Sequence, residues 1–380
     1  MKNVIFLIDN AFNQDPRVVR EAVLLKNAGY KLIVFALKEK GYSFFEHFEG
    51  ICVYRIFDHR IFDFKKRAYH KRIAKKISLF SPDILHCHDQ TMLNIAAFIK
   101  KELPSVTLIY DSHELFKYWP INYSSNAGLW LKIKSWLVRK YEVYREQKNS
   151  KHIDFLITVN HSLANILKKE FRLNTKPTVL RNIPEMNGTK TGQTLEINGT
   201  IKVAYIAAGI YPKSLNLEQA LIQLGSDKNI EVHLFGGYKG DPEYFKNLVK
   251  SQNLNVIFHG KIMPEKIMDA LQTCHLGLVT TWNKKDLSYW LALDNKLFHY
   301  IHAGLPILST AQPEYVEIVH KYNVGVCINP EISTFIEGLN KIIQHYENYK
   351  KNISKAAQQL NWENESQILL NLYNDIYSTS

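Results

Sequence analysis

The segment Asp294–Leu308, DNKLFHYIHAGLPIL, is the most informative stretch of this chain. It predicts a short helix followed at once by a buried strand. Asp294 or Asn295 can cap the start of the helix. Gly304 suits the left-handed position just after its end, and Pro306 prevents it from continuing. The segment is therefore one unit of an alternating α/β domain.

Length and composition indicate a globular protein with two domains. The chain has 380 residues, of which 46% are hydrophobic and 22% charged, and this length exceeds what one core usually serves. No apolar run approaches a membrane span, and no secretory signal follows Met1. The scattered cysteines fit reduced thiols in a cytoplasmic protein; they are Cys52, Cys87, Cys274 and Cys327.

The alternation of strands and helices begins at the first residues. Asn3–Ile8 is a continuous apolar run, typical of a parallel strand covered on both faces. Pro16 stands where a helix would start, Gly29 ends it, and Lys31–Ala36 is the second strand. The pattern predicts a doubly wound sheet, and it restarts at Ile201–Ile206.

The fold class predicted from this pattern is α/β, with two doubly wound Rossmann-like domains facing each other across a cleft. The first domain spans residues 1–185 and the second 201–360. Between them, residues 186–200 are polar and rich in Gly and Thr, as expected of a linker. Ligands of such sheets bind beyond the carboxyl ends of the strands, so the polar residues at those ends are the candidate site residues.

A formal net charge of +12 needs an explanation, either an anionic partner or a structural reason. Much of the excess lies in Lys65–Lys76 and in Lys132–Lys151, where Trp130 and Trp136 adjoin the basic residues. One interpretation is solvated helix faces. The other is contact with an anionic membrane surface, where each basic side chain adds about 1 kcal/mol. Nucleic acid is not expected as a partner, since no recognition motif accompanies the charge.

Three polar groups follow strands of the first domain. Asp9 and Asn10 follow the first strand, His86–Asp89 ends a second, and Asp111–Glu114 ends a third. His86 and His88 project to one face of their strand and, with His113, could in principle bind zinc. No short-spaced ligand pair completes such a site, so no metal is expected.

The second half carries a candidate diphosphate site. Lys213 follows its first strand, while Asn295 and Lys296 lie beside the free backbone N–H groups of a helix start. Together they form a plausible pyrophosphate clamp. Gly236–Gly237 and His259–Ile262 are turns where the backbone can approach a flat base closely, although ordinary tight turns explain them equally well.

At this point the residues resemble a family, the GT-B-fold glycosyltransferases of the family-4 retaining type, which use nucleotide-activated sugars. The likeness covers nearly the whole chain in the family's order, and it rests on the set and not on any one motif. The motifs that make up this set are Asp15–Glu21, His86–Asp89, Asp111–Phe116, Thr158–Val159, Arg181–Pro184, Gly236–Gly237, Asn295–Tyr300 and Ala303–Pro306.

The resemblance implies roles for particular residues. His113 and Lys213 would be catalytic, the first contacting the donor sugar and the second the diphosphate. The C-terminal helix, 361–380, would cross back to the first domain. The expected donor-binding residues are Gly237, Lys261, Ile262, Asn295, Lys296 and His299, and the acceptor-side residues are Asn10, Asp15 and Asp89.

The sequence departs from the family at three positions. Many members carry two glutamates eight residues apart, where this chain has Leu291 and His299. An arginine commonly precedes the diphosphate lysine, and Ile210 stands near that place. Two alternatives therefore stay open. One is a non-catalytic nucleotide-sugar-binding partner of a transferase complex, and the other is a GT-B-like nucleotide-sugar epimerase.

The predicted function is retaining transfer of a hexosyl or acetylhexosaminyl group from a nucleotide-diphosphate sugar. The acceptor would be a glycan or lipid-linked glycan in bacterial surface polysaccharide or glycolipid assembly. No cofactor is expected besides the donor substrate. The protein would be cytoplasmic and would associate peripherally with the inner face of the membrane, with Lys65–Lys76 as the contact.

Overall fold

The structure is a computed structural model that describes residues 2–62, 66–119, 128–186, 197, 199–211, 216–239 and 242–379. The chain divides into two compact units. The first, unit 1, comprises Met1–Asn182 and Glu365–Ser380, and the second, unit 2, comprises Ile183–Asn364. The predicted end of the first domain, residue 185, lies three residues beyond this division. Most of the predicted linker, 186–200, lies outside the described residues.

Unit 1 contains an eight-stranded sheet, parallel except for one edge strand, in the order β3-β4-β2-β1-β5-β6-β7-β8. The central strands carry the predicted polar groups at their carboxyl ends. The strands are β1 Asn3–Leu7, β2 Lys31–Leu37, β3 Phe45–Phe48, β4 Ile51–Phe57, β5 Ile84–His88, β6 Thr107–Ser112, β7 Phe155–Thr158 and β8 Thr178–Val179.

Unit 2 contains a six-stranded parallel sheet in the order β11-β10-β9-β12-β13-β14. Separate apolar clusters pack on its two faces, as a doubly wound sheet requires. The strands are β9 Ile201–Ile210, β10 Ile230–Tyr238, β11 Val256–Gly260, β12 Leu276–Val279, β13 Ile307–Thr310 and β14 Gly325–Ile328.

Within each sheet, helices connect the strands except between β2, β3 and β4, and short 3-10 turns lie at His59–Phe62, Phe116–Tyr118 and Pro264–Lys266. The helices are α1 Pro16–Asn27, α2 Arg67–Ser78, α3 Asp89–Glu102, α4 Leu129–Ser150, α5 His161–Phe171, α6 Leu217–Gly225, α7 Pro242–Ser251, α8 Ile267–Leu271, α9 Leu287–Trp290, α10 Asn295–His302, α11 Pro313–Tyr322, α12 Phe335–Gln344, α13 Tyr346–Gln359 and α14 Trp362–Thr379.

The predicted α/β fold with two Rossmann-like domains is confirmed, and so is the reading of the opening segment. α10 ends at His302, Gly304 has the left-handed φ of 76°, and β13 begins at Ile307. One detail was wrong. Asp294 occupies the N-cap position of α10, but its carboxylate makes no capping hydrogen bond, because it bonds to other side chains instead.

Two further local expectations need correction, and one element was not expected. Ser162, a residue type that favours N-cap positions, is expected to cap α5, but Asn160 stands at the N-cap and accepts the Leu163 amide. β9 continues through Ile210, so this residue belongs to the strand and not to the loop after it. The hairpin of β3 and β4 was not predicted, although its turn residues Glu49 and Gly50 both adopt positive φ, as a tight two-residue hairpin requires.

The basic segment around α2 also differs from its prediction. Lys65 lies outside the described residues, and Lys66 is buried against Glu142 at 3.1 Å. Ala68 is exposed, and the packed face of α2 is formed by Tyr69, His70, Ile73, Ala74 and Ile77. Within the described ranges, none of the helices combines the length and the apolar character that crossing a bilayer requires.

Candidate functional site

The loop between β1 and α1 is built by its own polar side chains. Asn10 accepts the Phe12 amide at 2.8 Å and donates to Asp15 at 3.1 Å, and Asp15 accepts the Val18 amide at 3.2 Å to cap α1. The two predicted acceptor-side residues, Asn10 and Asp15, are thus brought together. In this state they hold the loop in shape, and a contact with acceptor stays a prediction.

Asp89 follows β5 and is the first residue of α3. Its φ of 61° lies in the left-handed region, which a non-glycine residue enters at a cost of about 1–3 kcal/mol. The carboxylate, 41% exposed, accepts the His113 amide at 3.2 Å. Strain of this kind persists where the surroundings impose it, and it concentrates at functional sites.

The Asp111 carboxylate at the end of β6 is fully buried and held by Arg17 of α1. The guanidinium Nη2 lies 2.9 and 3.1 Å from the two carboxylate oxygens, and Nε bonds to Glu21 at 2.8 Å. Burial favours the neutral acid of Asp111, but the charges of Arg17 and His113 hold its pKa well below the ordinary value. For Glu21 burial dominates and raises the pKa.

His113 lies between two carboxylates. Its Nδ1 is 3.4 Å from Asp89, and its Nε2 is 3.4 Å from Asp111. Burial lowers the pKa of the imidazole, but Asp89 and Asp111 outweigh burial and the repulsion of Arg17, and the pKa rises to about 9. The ring is therefore an imidazolium at neutral pH, fixed in orientation and 19% exposed at the sheet edge.

Behind His113 and its two carboxylates lies a buried layer of rings. His86 and His88 stack at 4.5 Å, as their spacing on one strand predicts, and Phe6 packs against both. Burial, followed by His86, lowers the pKa of His88 well below its ordinary value, so His88 is neutral. The hydroxyl of Tyr373 in α14 bonds to His86 Nδ1 at 2.9 Å. The C-terminal helix thus completes the buried layer of unit 1.

Asp9 adds a titratable group to the same edge. Burial, followed by the charge of Asp89, raises its pKa to about 7, although His113 and a hydrogen bond with Thr91 oppose the shift. A carboxyl group that is half protonated near neutral pH can both donate to and accept from a hydroxyl. Asp9, Asp89 and His113 together can therefore recognise a polyhydroxylated ligand.

Four of these buried side chains could offer ligand atoms to a metal ion. Those atoms, from Glu21, His86, His88 and Asp111, lie within 4.8 Å of one another. Arg17 already bonds to both carboxylates and supplies the positive charge that a cation would bring. The arrangement is better suited to holding the imidazolium than to binding metal.

In unit 2, helix α10 is positioned by Tyr300. Its hydroxyl accepts the Ile206 amide of β9 at 3.0 Å and donates to the Leu278 carbonyl of β12 at 3.1 Å. The ring fills the space above Gly277, where an added Cβ would lie 2.2 Å from a ring carbon. The missing side chain of Gly277 is what lets the helix pack against these two strands.

Lys296 lies in the first turn of α10. Its Nζ is 3.2 Å from Asp294 and 4.9 Å from the centre of the Tyr205 ring. Burial lowers the pKa of Lys296, but Tyr205 and Asp294 raise it well above the ordinary value, so the lysine is charged. The predicted anion site therefore contains its cation, but Asp294, which also accepts from Thr281 at 3.1 Å, competes for it.

The glycines at the end of β10 allow close approach of two backbones. At Gly236 an added Cβ would lie 2.0 Å from the Ala207 carbonyl oxygen, and the pairing of β9 with β10 shifts register at this point. Gly237 follows directly. After β11, Lys261 is exposed, while Ile262 packs partly against the core of unit 2.

The remaining predicted donor-side residues differ in their exposure and in their position. Asn295 is exposed in the first turn of α10, and His299 follows on the same helix face. Leu291 is buried at the end of α9, as an apolar residue should be, and offers no polar atom to a ligand. Lys213, predicted to bind diphosphate, lies outside the described residues, and its role stays a prediction.

Sequence reasoning assigned no role to four residues that the structure places at the site. Arg17 and Glu21 carry a signal, since opposite charges four residues apart on a helix face each other. Asp111 belongs to one of the motifs that resemble the family, but the motif by itself assigns it no role. Tyr373 has no local signal, because it reaches His86 across 287 residues.

Two family models match this chain. Glycosyltransferase Family 4 matches residues 17–183, and the C-terminal domain of glucosyltransferase 3-like proteins matches residues 214–364. No curated protein matches the chain.

Solved structures of the same fold cover the whole chain. Sucrose-phosphate synthase from Thermosynechococcus elongatus is 13% identical, with a TM-score of 0.75 and 100% of both chains covered. HepE from Anabaena, in complex with UDP, is 13% identical, with a TM-score of 0.70 over 99% of this chain and 100% of its own. WaaG, a glycosyltransferase involved in lipopolysaccharide biosynthesis, is 14% identical, with a TM-score of 0.65 over 98% and 99%. The chain belongs to the GT-B-fold glycosyltransferases of the family-4 type.

Proposed function

We propose that the protein is a retaining glycosyltransferase that moves a hexosyl or acetylhexosaminyl group from a nucleotide-diphosphate sugar to a glycan or lipid-linked glycan. Bacterial surface polysaccharide or glycolipid assembly is the proposed setting. Family membership supports transfer, and two solved structures of one neighbour, HepE, with bound UDP in both and glucose in one, support this donor class. The observation that carries the proposal is the charged Lys296 in the first turn of α10.

The donor's diphosphate would bind at this helix start. The free N–H groups of the first turn and the Lys296 ammonium both favour an anion there. Lys213 would add a second cation, and Asn295 and His299 would bond to the diphosphate or ribose. Gly237, Lys261 and Ile262 would line the nucleoside. Asp294 lowers the affinity for diphosphate because it already neutralises part of the charge on Lys296.

The acceptor would bind at the edge of unit 1. Asp89 presents a half-exposed carboxylate that His113 fixes, and Asp9 can exchange its proton with a sugar hydroxyl near neutral pH. Asn10 and Asp15 extend the same loop. His113 would orient sugar hydroxyls, and its backbone carbonyl would stabilise positive charge on the reacting sugar. Arg17 and Asp111 would act through His113 by fixing its ring.

Transfer would need no protein nucleophile, cofactor or metal. The departing diphosphate, held by Lys213 and the start of α10, would itself take the acceptor proton. Stabilisation of that leaving charge would be the main catalytic contribution of the protein, and removal of one such donor in other enzymes costs about 3–4 kcal/mol. Arg17 supports the metal-free proposal, because it already forms ion pairs with both buried carboxylates.

A ligand screen followed by a transfer assay tests this proposal. Thermal stability is measured with UDP-, GDP-, ADP- and dTDP-sugars, and the correct donor at a hundredfold excess over its Kd should stabilise the protein by about 2.7 kcal/mol. The product's anomeric configuration, read by NMR, reports retention. Donor binding without transfer would favour the non-catalytic partner, and donor conversion without acceptor or free diphosphate would favour the epimerase.

Two substitutions with opposite expected effects test the diphosphate site. Lys296→Met should weaken nucleotide-sugar binding at least tenfold. Asp294→Asn should tighten it, because the lysine loses its competing partner while the amide can still accept from Thr281. Lys321→Met, on an exposed position of α11, is the control. Equal affinity in all four proteins would exclude this site.

The proposed location is cytoplasmic and peripheral on the inner face of the membrane. Lys65–Lys76 was the predicted contact, but Lys66 is buried in an ion pair with Glu142 and is withdrawn from the surface. The exposed basic residues of α2, among them Arg67 and Lys71, still allow the contact.

A further inference from the structure

Helix α4, Leu129–Ser150, buries polar side chains and exposes apolar ones, which is the reverse of an ordinary surface helix. In its second half, the side chains that pack into unit 1 are polar: Glu146 accepts from Tyr110 at 2.7 Å, and Glu142 bonds to Lys66 and Gln90 at 3.1 and 2.8 Å. In its first half, large apolar side chains face solvent instead. A surface helix normally buries its apolar face, so this one offers that face to something outside the unit.

Five of the six large apolar residues exposed in the first half form one stripe, and Leu131 lies off it. They follow one another at positions i, i+1, i+4, i+7 and i+8, the spacing of a single helix face. Their exposed fractions range from 42 to 76%. We name this set the α4 stripe: Leu129, Trp130, Ile133, Trp136 and Leu137. Tyr144, also exposed, continues it two turns later.

Basic side chains accompany the stripe. Lys140 lies over the Trp136 ring at 5.5 Å and Lys148 over the Tyr144 ring at 5.7 Å, as amphipathic lysines do at a boundary between apolar and aqueous surroundings. Tryptophan and tyrosine are enriched at such boundaries for the same reason. The stripe therefore has the composition of a bilayer-interface element and not that of an uncharged protein contact.

The stripe leads into a basic cluster formed by three helices. Lys148 and Lys151 belong to the end of α4, Lys101 to the end of α3 and Arg67 to the start of α2. Helix α3 packs against both α2 and α4, which brings these ends together. In agreement with this, burial lowers the pKa of Lys101, and Lys151, Lys148 and Arg67 add to that effect, in this order. Crowded positive charge next to exposed tryptophans is complementary to anionic lipid headgroups.

We propose that the first half of α4 is an interfacial anchor, which inserts the α4 stripe into the headgroup region of an anionic bilayer while the basic cluster binds the lipid phosphates. The helix lies along the surface and does not cross it, in agreement with the lack of a spanning helix among the described residues. This inference deepens the proposed function, on which it rests for the choice of a bilayer as the partner. It assigns the main contact to α4 in place of Lys65–Lys76.

Vesicle flotation of the full-length protein tests the anchor. The wild-type protein should bind to vesicles of phosphatidylcholine with phosphatidylglycerol, and it should bind less to vesicles of phosphatidylcholine alone. The triple variant Trp130→Gln, Trp136→Gln, Leu137→Gln should lower partitioning by about a hundredfold or more. The matched control replaces three exposed apolar residues elsewhere, Phe44, Leu79 and Ile332, by Gln and should bind as wild type does.

A second set of variants tests the charge. Lys101→Gln, Lys148→Gln, Lys151→Gln should lower partitioning into the anionic vesicles by about a hundredfold and leave phosphatidylcholine binding unchanged. Its control replaces the exposed lysines of unit 2, Lys250, Lys321 and Lys351, by Gln.

Two outcomes would overturn the anchor. One is wild-type partitioning of the stripe variant. The other is a dimer in sedimentation that this variant abolishes while neither protein binds vesicles, since a second copy would then cover the stripe. Thermal shift with the donor is measured on every variant. The two proposals can therefore fail separately. Loss of vesicle binding with unchanged donor stabilisation concerns the anchor alone. Loss of donor stabilisation with unchanged vesicle binding concerns the proposed transferase alone.

Discussion

Substitution of His113 by Gln should change the pH dependence of stability in a direction that the structure fixes. The folded pKa of about 9 exceeds the ordinary value of 6.5, because Asp89 and Asp111 stabilise the charged ring against the opposing effect of burial. A raised folded pKa contributes stability that is complete below the unfolded pKa and is lost as pH rises through the folded one. The difference between wild type and variant should therefore be largest below pH 6.5 and shrink through pH 9.

The magnitude follows from the shift. A change from 6.5 to about 9, at 1.36 kcal/mol per pKa unit, is worth about 3 kcal/mol below pH 6.5. At pH 7.5 about 2 kcal/mol should remain, and near pH 10 almost nothing. The ring is only 19% exposed, so solvent screening reduces this value modestly.

Two measurements check the prediction. Urea denaturation of wild type and His113→Gln between pH 6 and pH 10 gives the difference in unfolding free energy, with His320→Gln, an exposed histidine of unit 2, as control. NMR of carbon-13-labelled histidine gives the pKa of His113 directly, and Asp89→Asn should lower it. A His113 midpoint at or below 6.5, or a stability difference that stays constant over this range, would refute the electrostatic account.

Three further outcomes are expected. Arg17→Met should lower the free energy of unfolding by about 3–5 kcal/mol in thermal or urea denaturation, because two buried carboxyl groups lose their cation; a loss below 1 kcal/mol would contradict the buried pairing. Tyr373→Phe should cost about 1 kcal/mol and leave donor binding unchanged, and an unaltered stability would show that α14 is held by packing alone. Gly277→Ala should cost about 1–3 kcal/mol or more and weaken nucleotide-sugar binding, since the new methyl group collides with the Tyr300 ring. Gly128→Ala, which meets no neighbour within 4 Å, is the control for this last change, and equal effects in both would exclude the proposed packing.

Local sequence patterns predicted most elements because their causes are local. Pro16 starts α1, Gly304 ends α10, and continuous apolar runs mark the central strands β1 and β12. Where local signals compete, the prediction failed. Asn160 and Ser162 can both cap a helix, and only the chain geometry selected Asn160. Asp294 stands at a cap position, but Thr281 and Lys296 bind its carboxylate.

The candidate site likewise combines features that the sequence predicts with features that it does not. Parallel strands bring their carboxyl ends to one edge, so the order of the elements already places Asp89 and His113 near each other. The charge of His113 could not be predicted in the same way, because it needs contacts between elements. It depends first on Asp89, 24 residues away, and then on Asp111, which Arg17 keeps ionised from a helix 94 residues away.

By itself, the sequence determined the fold class, the two-domain organisation and the sheet edges at which polar residues gather, because periodicity, caps and turn residues act over a few positions. Only the tertiary structure decided which side chains carry charge, which lysines are spent on internal ion pairs and which apolar residues of α4 stay exposed. Burial and Coulomb interactions depend on distances between residues far apart in the chain, and a linear pattern does not contain those distances.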